Sequence, residues 1–359
     1  MSDMIAPAAP HPVLGAADDL LIHQLPQPFG VVADASPQWF DRFYFNISGP
    51  DGGPMLVIGA GRYSNAGVMD GYACLLDGGV QRNRRFARRI VVGEAPTVIG
   101  PLSWTVIEPM KSWRLQLSSE VEGFGFDLVW TAKALPYAVD PLTVEHDEGG
   151  ATNFAHFFQP GSYTGYIEID GKRIDVAGWR GLRDRSWGVR RTRERLGMHL
   201  WGGAQLEDRC VAVLYNEGRD GKPVHVHGAI LPFDGGAPVA ITDVRHKLNF
   251  DETGEFVDGL LHLTTEAGEQ LEVEWRGGRR GLYMSAAGYD GWHGQDRGEA
   301  HQEHERWNLD DGTRSPNSLP LSLVNKPSTC TVGGVEGYGI FETAVTRSAS
   351  YRYRPTIDG

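Results

Sequence analysis

The chain has 359 residues, with 34 lysines and arginines against 46 aspartates and glutamates, and its net charge of −12 at pH 7 disfavours nucleic acid or an anionic membrane as the main partner. A composition of 41% hydrophobic and 22% charged residues excludes general disorder, and 47 glycines with 21 prolines break the chain too often for long helices. Cys74, Cys210 and Cys330 are odd in number and far apart, so no disulfide framework and a reducing, cytoplasmic setting are expected. No basic segment leads into an apolar one at the start, and no run approaches the ~18 apolar residues of a spanning helix, so neither a signal peptide nor a transmembrane segment is expected.

After a Pro/Ala-rich start (Ala6 to Pro12) come short apolar or alternating runs ended by Gly, Pro, Asp or Asn. Phe43 to Ile47, Met55 to Ile58, Tyr72 to Leu76, Ser103 to Ile107, Trp113 to Leu117 and Phe126 to Ala132 are strand candidates in the first half. Trp113-Arg-Leu-Gln-Leu117 alternates strictly, as a strand with one wet face does. His199 to Leu206, Val211 to Tyr215, Val224 to Leu231, Leu260 to Thr265, Gln270 to Trp275 and Tyr338 to Thr346 repeat the style. Asp170-Gly171, Asp220-Gly221 and Asp311-Gly312 are hairpin signals between them. The pattern predicts an all-β chain of two tandem antiparallel barrels, since closure removes the edges that so many strands would expose. An arm over 1–18, a first barrel over 19–190 and a second over 191–359 are expected, joined near the arginine-rich segment Arg190 to Arg195.

Some motifs resemble sites without completing them. Val57-Ile-Gly-Ala-Gly61 opens like a dinucleotide fingerprint, but Ser64 stands at the third glycine and Arg62 to Gly71 is no helix start. His225-Val-His227 places two imidazoles on one strand face, yet Gly228 to Pro232 adds no carboxylate. His301 and His304 are three apart, not the four of a His-Glu-x-x-His helix. Neither metal nor cofactor is expected. The run Arg82, Arg84, Arg85, Arg88 and Arg89 is expected to be solvated and salt-bridged.

The densest chemistry is Gly181-Leu-Arg-Asp-Arg-Ser-Trp-Gly-Val-Arg190, followed closely by Met198-His-Leu-Trp201. Period-two alternation puts His199, Trp201 and Gly203 on one strand face, and Tyr215 and Glu217 on one face of the next. A hairpin of the two strands is expected to bring these side chains together. Asp184, between Arg183 and Arg185, is a junction staple or an acid. Trp187 reads as core or as a cation-stabilising wall. His156, flanked by Phe154 and Phe158, is a further pocket candidate with Phe158.

The string from Gly181 to Arg190 resembles the signature of the tandem lipocalin-like (calycin) family of carotenoid hydratases and hydroxyneurosporene synthase, to which kievitone hydratase and lipocalin-like Diels-Alder cyclases are related in architecture. Supporting stretches are Gly61 to Asp70, Gly100-Pro-Leu with Glu108-Pro109 and Trp113-Arg114, and Asn153 to Pro160. The resemblance implies two lipocalin-like barrels and an apolar pocket at or between them, used on isoprenoid or polyketide substrates without a cofactor. His199 and Trp201 match a His-x-Trp pair of the hydratase branch; Tyr215-Asn-Glu217 matches its Tyr-x-Asp pair with glutamate for aspartate. Hydration of a double bond needs a strong proton donor, an electron-rich wall for the cation and a base for the water. On this reading His199, Glu217, Tyr215 and Asp184 are the catalytic candidates, and Trp201, Trp187, His156 and Phe158 bind substrate. A hydratase/dehydratase of a small apolar, isoprenoid-like substrate is expected, with a cyclase or isomerase, or a lipocalin-type carrier, as alternatives.

Overall fold

In the computed structural model, residues 16–21, 23, 36–50, 53–91, 97–119, 123–145, 151–190 and 196–357 are described. Of the expected arm and junction, residues 1–15 and 191–195 lie outside them.

Every strand-length run named above falls in a strand, give or take one residue at an end. In chain order the strands are β1 (Trp39–Ser48), β2 (Met55–Tyr63), β3 (Val68–Asp77), β4 (Val80–Arg89), β5 (Val98–Ile99), β6 (Leu102–Glu108), β7 (Ser112–Leu117), β8 (Phe124–Ala132), β9 (Tyr137–Glu145), β10 (Ala151–Ile169), β11 (Lys172–Asp175) and β12 (Arg180–Val189). They continue with β13 (Leu196–Gln205), β14 (Arg209–Gly218), β15 (Pro223–Pro232), β16 (Val239–Phe250), β17 (Phe256–Thr265), β18 (Gln270–Gly277), β19 (Leu282–Tyr283), β20 (His301–Asn308), β21 (Val324–Val332) and β22 (Val335–Val345). Helix among the described residues is limited to three short 3₁₀ turns, and none is long and apolar enough to cross a membrane.

The chain is all-β, in two antiparallel units. In the second, the order β18-β17-β16-β15-β14-β13-β22-β21 closes on itself because β21 also pairs with β18, an eight-stranded barrel. The first follows β20-β4-β3-β2-β1-β12-β10-β8-β7-β6-β5 and curls strongly without a closing ladder. Its outermost strand, β20, comes from the far end of the chain and pairs with β4.

Alternation along the strands divides most of the buried apolar residues among three large cores, with two smaller clusters around Trp187 and Phe40. Phe43, Phe45 and Ile47 of β1 meet Trp113, Leu115 and Trp130 inside the curled sheet. Met198, Leu200 and Tyr215 meet Trp275 and Phe341 inside the closed barrel. The opposite faces, carrying Tyr44, Tyr72 and Cys74 on one side and Trp201, Ala212 and Leu214 on the other, form a core between the two units. Gly203 lies at this contact: a Cβ there would meet Leu182 Cδ1 at 2.2 Å, so the missing side chain lets the sheets touch. Cys74, Cys210 and Cys330 are buried free thiols. Burial pushes Cys74 and Cys330 up to about 12 and Cys210 well above its ordinary value, a poor setting for a nucleophile.

Of the arginine run on β4, Arg89 is exposed on Asp296 (2.9 Å) and Arg85 pairs with Glu303 (2.8 Å), as expected, but two members depart from that expectation. Arg82 and Arg84 of β4 are buried, Arg82 on Asp170 (2.5 Å) and Arg84 donating to the Ser118 carbonyl (2.6 Å). Arg183 and Arg185 of β12 point into the curled sheet, fully buried, and pair with Asp19 (2.5 Å) and Asp41 (2.8 Å). The turn Ala16–Asp19 thereby plugs the first unit. Asp19 also accepts Trp113 Nε1–H (3.0 Å), and Asp18 holds His23 Nε2 (2.7 Å), whose ring stacks on Trp187 at 3.8 Å. Burial works against charging His23, but the bonds to Asp18 and Asp41 outweigh it and raise its pKa.

Candidate active site

Between the units lies a cavity of about 680 Å³, within the size range of small-molecule sites. Its wall on the first unit follows from register. Tyr44, Asp184 and Phe158 form one row across β1, β12 and β10; Arg42, Ser186 and His156 form the next. Because β12 alternates, Asp184 and Ser186 face the cavity while Arg183 and Arg185 face inward. The expected staple is therefore corrected: the arginines take Asp19 and Asp41, and Asp184 looks across at His156, Oδ2 to Nε2 3.5 Å.

On the second unit the rows are Ala344, His199, Asn216 and His225, and then Asn325, Glu342, Trp201, Leu214 and His227, across β21, β22, β13, β14 and β15. His199 is held at both nitrogens: Nδ1 on Asn216 Oδ1 (2.7 Å) and Nε2 on Glu342 Oε1 (2.8 Å). Both partners present oxygens, so a doubly protonated ring satisfies both, and transfer of the Nε2 proton to Glu342 leaves a neutral base. Glu342 Oε2 accepts from Asn325 Nδ2 (2.7 Å), and Asn325 Oδ1 accepts from Tyr44 OH (2.7 Å). The chain Tyr44–Asn325–Glu342–His199 thus crosses from one unit to the other. Burial is the largest cause of Tyr44's strongly raised pKa, which keeps its phenol protonated. Trp201 packs edge-on against Tyr44 (5.4 Å), and its buried indole N–H has no acceptor among the described residues.

His225 faces Asn216 Nδ2 across 3.5 Å. Burial, followed by the nearby His227, His156, His199 and Arg190, pushes its pKa down to about 2, so it is neutral at any working pH. Among the described residues, no group of three or more His, Cys, Asp or Glu is arranged to hold a metal ion.

Of the sequence candidates, His199, Trp201, Asp184 and His156 line the cavity together. Tyr215 and Glu217 do not. The hairpin forms, but its register sets His199 opposite Asn216 and Leu200 opposite Tyr215, so Tyr215 and Glu217 point into the closed barrel. There Glu217 accepts from Tyr215 OH (3.1 Å) and from Tyr351 OH, with His246 Nε2 at 3.5 Å. Glu217→Gln should therefore lower the thermal midpoint, through an unsatisfied buried donor worth about 1–3 kcal/mol, while ligand binding in the cavity stays unchanged. Calorimetry and a binding titration on one sample check both. Trp187 is likewise no cavity wall, being enclosed by His23 and Phe157. Phe158 is fully buried behind the wall against Tyr137 and His156.

The acid on His199 is Glu342, which the sequence pattern did not single out; Arg42, Tyr44, Asn216 and Asn325 were missed with it. None has a local signal beyond its strand. The His-x-Trp spacing was informative because two residues along one strand necessarily share a face.

A family model matches residues 14–352, that of a family of unknown function, DUF8625. The chain belongs to this family. No curated protein sequence matches this DUF8625 member. Solved structures do, over nearly the whole chain. An AttH-like protein from Nitrosomonas europaea aligns with a TM-score of 0.62 at 16% identity, covering 97% of this chain and 100% of that one. Kievitone hydratase from Nectria haematococca aligns at 0.50 and 12% identity, covering 94% and 96%. CghA aligns at 0.51 and 13% identity, covering 93% and 97%, and it is also known with Sch210972. The DUF8625 chain shares their fold.

Proposed function

We propose that this protein is a cofactor-independent acid–base enzyme, a hydratase/dehydratase acting on a largely apolar, isoprenoid-like molecule held between its two units. The observation that carries this reading is His199, fixed between Asn216 and Glu342 beside Trp201 on the wall of the cavity. The Nε2 proton that His199 shares at rest with Glu342 goes to the double bond as the substrate takes the place of that contact, and the cation forms against the indole face, an interaction of roughly 0.5–2 kcal/mol. The ring, now neutral, takes a proton from the arriving water, and Glu342 stabilises it as it charges again. Dehydration runs the same steps backwards. Neighbours of this fold include a hydratase, which supports the reaction class.

The test is extraction of the molecule that copurifies with the protein, identified by native mass spectrometry and incubated with the protein in heavy-oxygen water. Incorporation or exchange of label that requires His199 is the expected result. An isomeric product without label assigns a cyclase or isomerase, and an unchanged ligand assigns a carrier.

A further inference from the structure

Arg42 projects from β1 into the same cavity, and its stem fits because β2 has glycine opposite it: a Cβ on Gly61 would meet Arg42 Cγ at 2.8 Å. The glycine run that resembles a dinucleotide fingerprint thus makes room for a side chain. Arg42 Nη2 donates to His293 Nε2 (3.0 Å). His293 in turn donates Nδ1–H to Asp70 Oδ1 (3.1 Å), while Asp70 also takes Gly294 N–H (2.7 Å) and Tyr63 OH (3.3 Å). Burial, then the Arg42 charge, holds the His293 pKa below its ordinary value, so the ring is a neutral acceptor with a fixed tautomer. The guanidinium lies over the Tyr289 ring at 4.9 Å. Among the described residues no carboxylate pairs with Arg42, whereas Arg183 and Arg185 in the same sheet each have one. A half-buried arginine, oriented by a neutral imidazole and a ring and facing a cavity, lacks the anion that its fork of N–H groups fits.

We propose that Arg42 anchors an anionic head group of the ligand, a planar two-oxygen anion such as a carboxylate or the enolate of a 1,3-dicarbonyl. This rests on the reading of the cavity as the substrate site and makes the substrate amphiphilic instead of purely apolar. Arg42 and Tyr44 are two residues apart on one face of β1, about 7 Å. The head is therefore held beside, not at, the Tyr44–Trp201–His199 region, and the reacting bond lies several carbons along the tail.

Three probes of matched tail, farnesoate, farnesol and 2-farnesyl-1,3-cyclohexanedione, are titrated calorimetrically into wild type, Arg42→Met, Arg42→Lys and His199→Gln, each with its melting temperature recorded. Wild type should bind an anionic probe about ten-fold or more tighter than farnesol; whether farnesoate or the dione benefits identifies the source of the anion. Arg42→Met should erase that preference, Arg42→Lys should keep part of it, and His199→Gln should keep a clear preference that Arg42→Met lacks. Equal binding of all three probes by wild type, or a preference that survives in folded Arg42→Met, overturns the proposal. Should Arg42→Met fail to fold, a reduced anion preference in Arg42→Lys supports the anchor, and an undiminished preference with its shape-demanding fork removed overturns it. Turnover is not read here, so failure of the label experiment leaves this result standing, and the reverse also holds.

Discussion

Glu342→Gln should reduce turnover roughly 10²–10⁴-fold, the usual contribution of a positioned general acid or base, with ligand affinity little changed and a stability loss of about 1–3 kcal/mol, because the new amide N–H₂ faces a donor on Asn325 or the ring. The carboxylate holds the Nε2 proton of His199 through Oε1, while its other oxygen is fixed by Asn325. The amide keeps the shape and can still bind Asn325 or the ring, but it cannot stabilise an imidazolium or share its proton. His199→Gln should show a similar loss, and the double variant little more, because the two residues act as one unit. Rates of label exchange in the extracted ligand, measured for Glu342→Gln, His199→Gln and Glu217→Gln, decide the matter. If Glu342→Gln turns over at the wild-type rate while Glu217→Gln is dead, the working acid is inside the barrel and the cavity assignment is wrong.

Asp19→Asn should produce the largest loss of stability, about 3–5 kcal/mol, because it leaves the Arg183 charge buried without its counter-ion. Both side chains are 0% exposed. Trp113, Trp130 and Phe157 surround the guanidinium at 5.4, 4.7 and 5.3 Å, and the neutral Gln159 Oε1 becomes its remaining side-chain oxygen acceptor. Burial already lowers the pKa of Arg183 against the opposing pull of Asp19. A fall in melting temperature on the order of 10 °C is expected by calorimetry. Replacing both partners, Asp19→Leu with Arg183→Met, should recover only part of it, since the uncompensated charge is gone but Trp113 Nε1–H and Met110 N–H lose the Asp19 oxygen they bond. An Asp19→Asn protein that melts with the wild type would mean that the pair adds nothing to stability.

Strand content was legible because period-two alternation and turn residues are local: the buried Trp113, Leu115 and Leu117 match their spacing one for one. What local pattern could not supply was the pairing of faces between neighbouring strands. His199 and Trp201 were bound to share a face, but whether Tyr215 or Asn216 joined them depended on the offset set by the turn that pairs Gln205 with Cys210. A shift of one residue exchanges the two. Charge misled for the same reason. Asp184 looks like the partner of Arg183 or Arg185 in the sequence because their actual partners, Asp19 and Asp41, lie 164 and 144 residues away. Glu342 reaches His199 across 143 residues, and nothing near Phe341 or Thr343 marks it.

The pairing of β20 with β4 affects how the molecule can be made. On the ribosome, the curled unit emerges early with the free edge of Val80–Arg89 exposed, and the strand that covers it, His301–Asn308, is among the last to be synthesised. For most of translation that ladder of backbone donors and acceptors is open to any other nascent strand, the situation in which chaperones are needed and slow, non-local folding is the rule. Once β20 docks, the late part of the chain is stitched across the early part, and the two units that enclose the cavity are fastened together by main chain as well as by side chains.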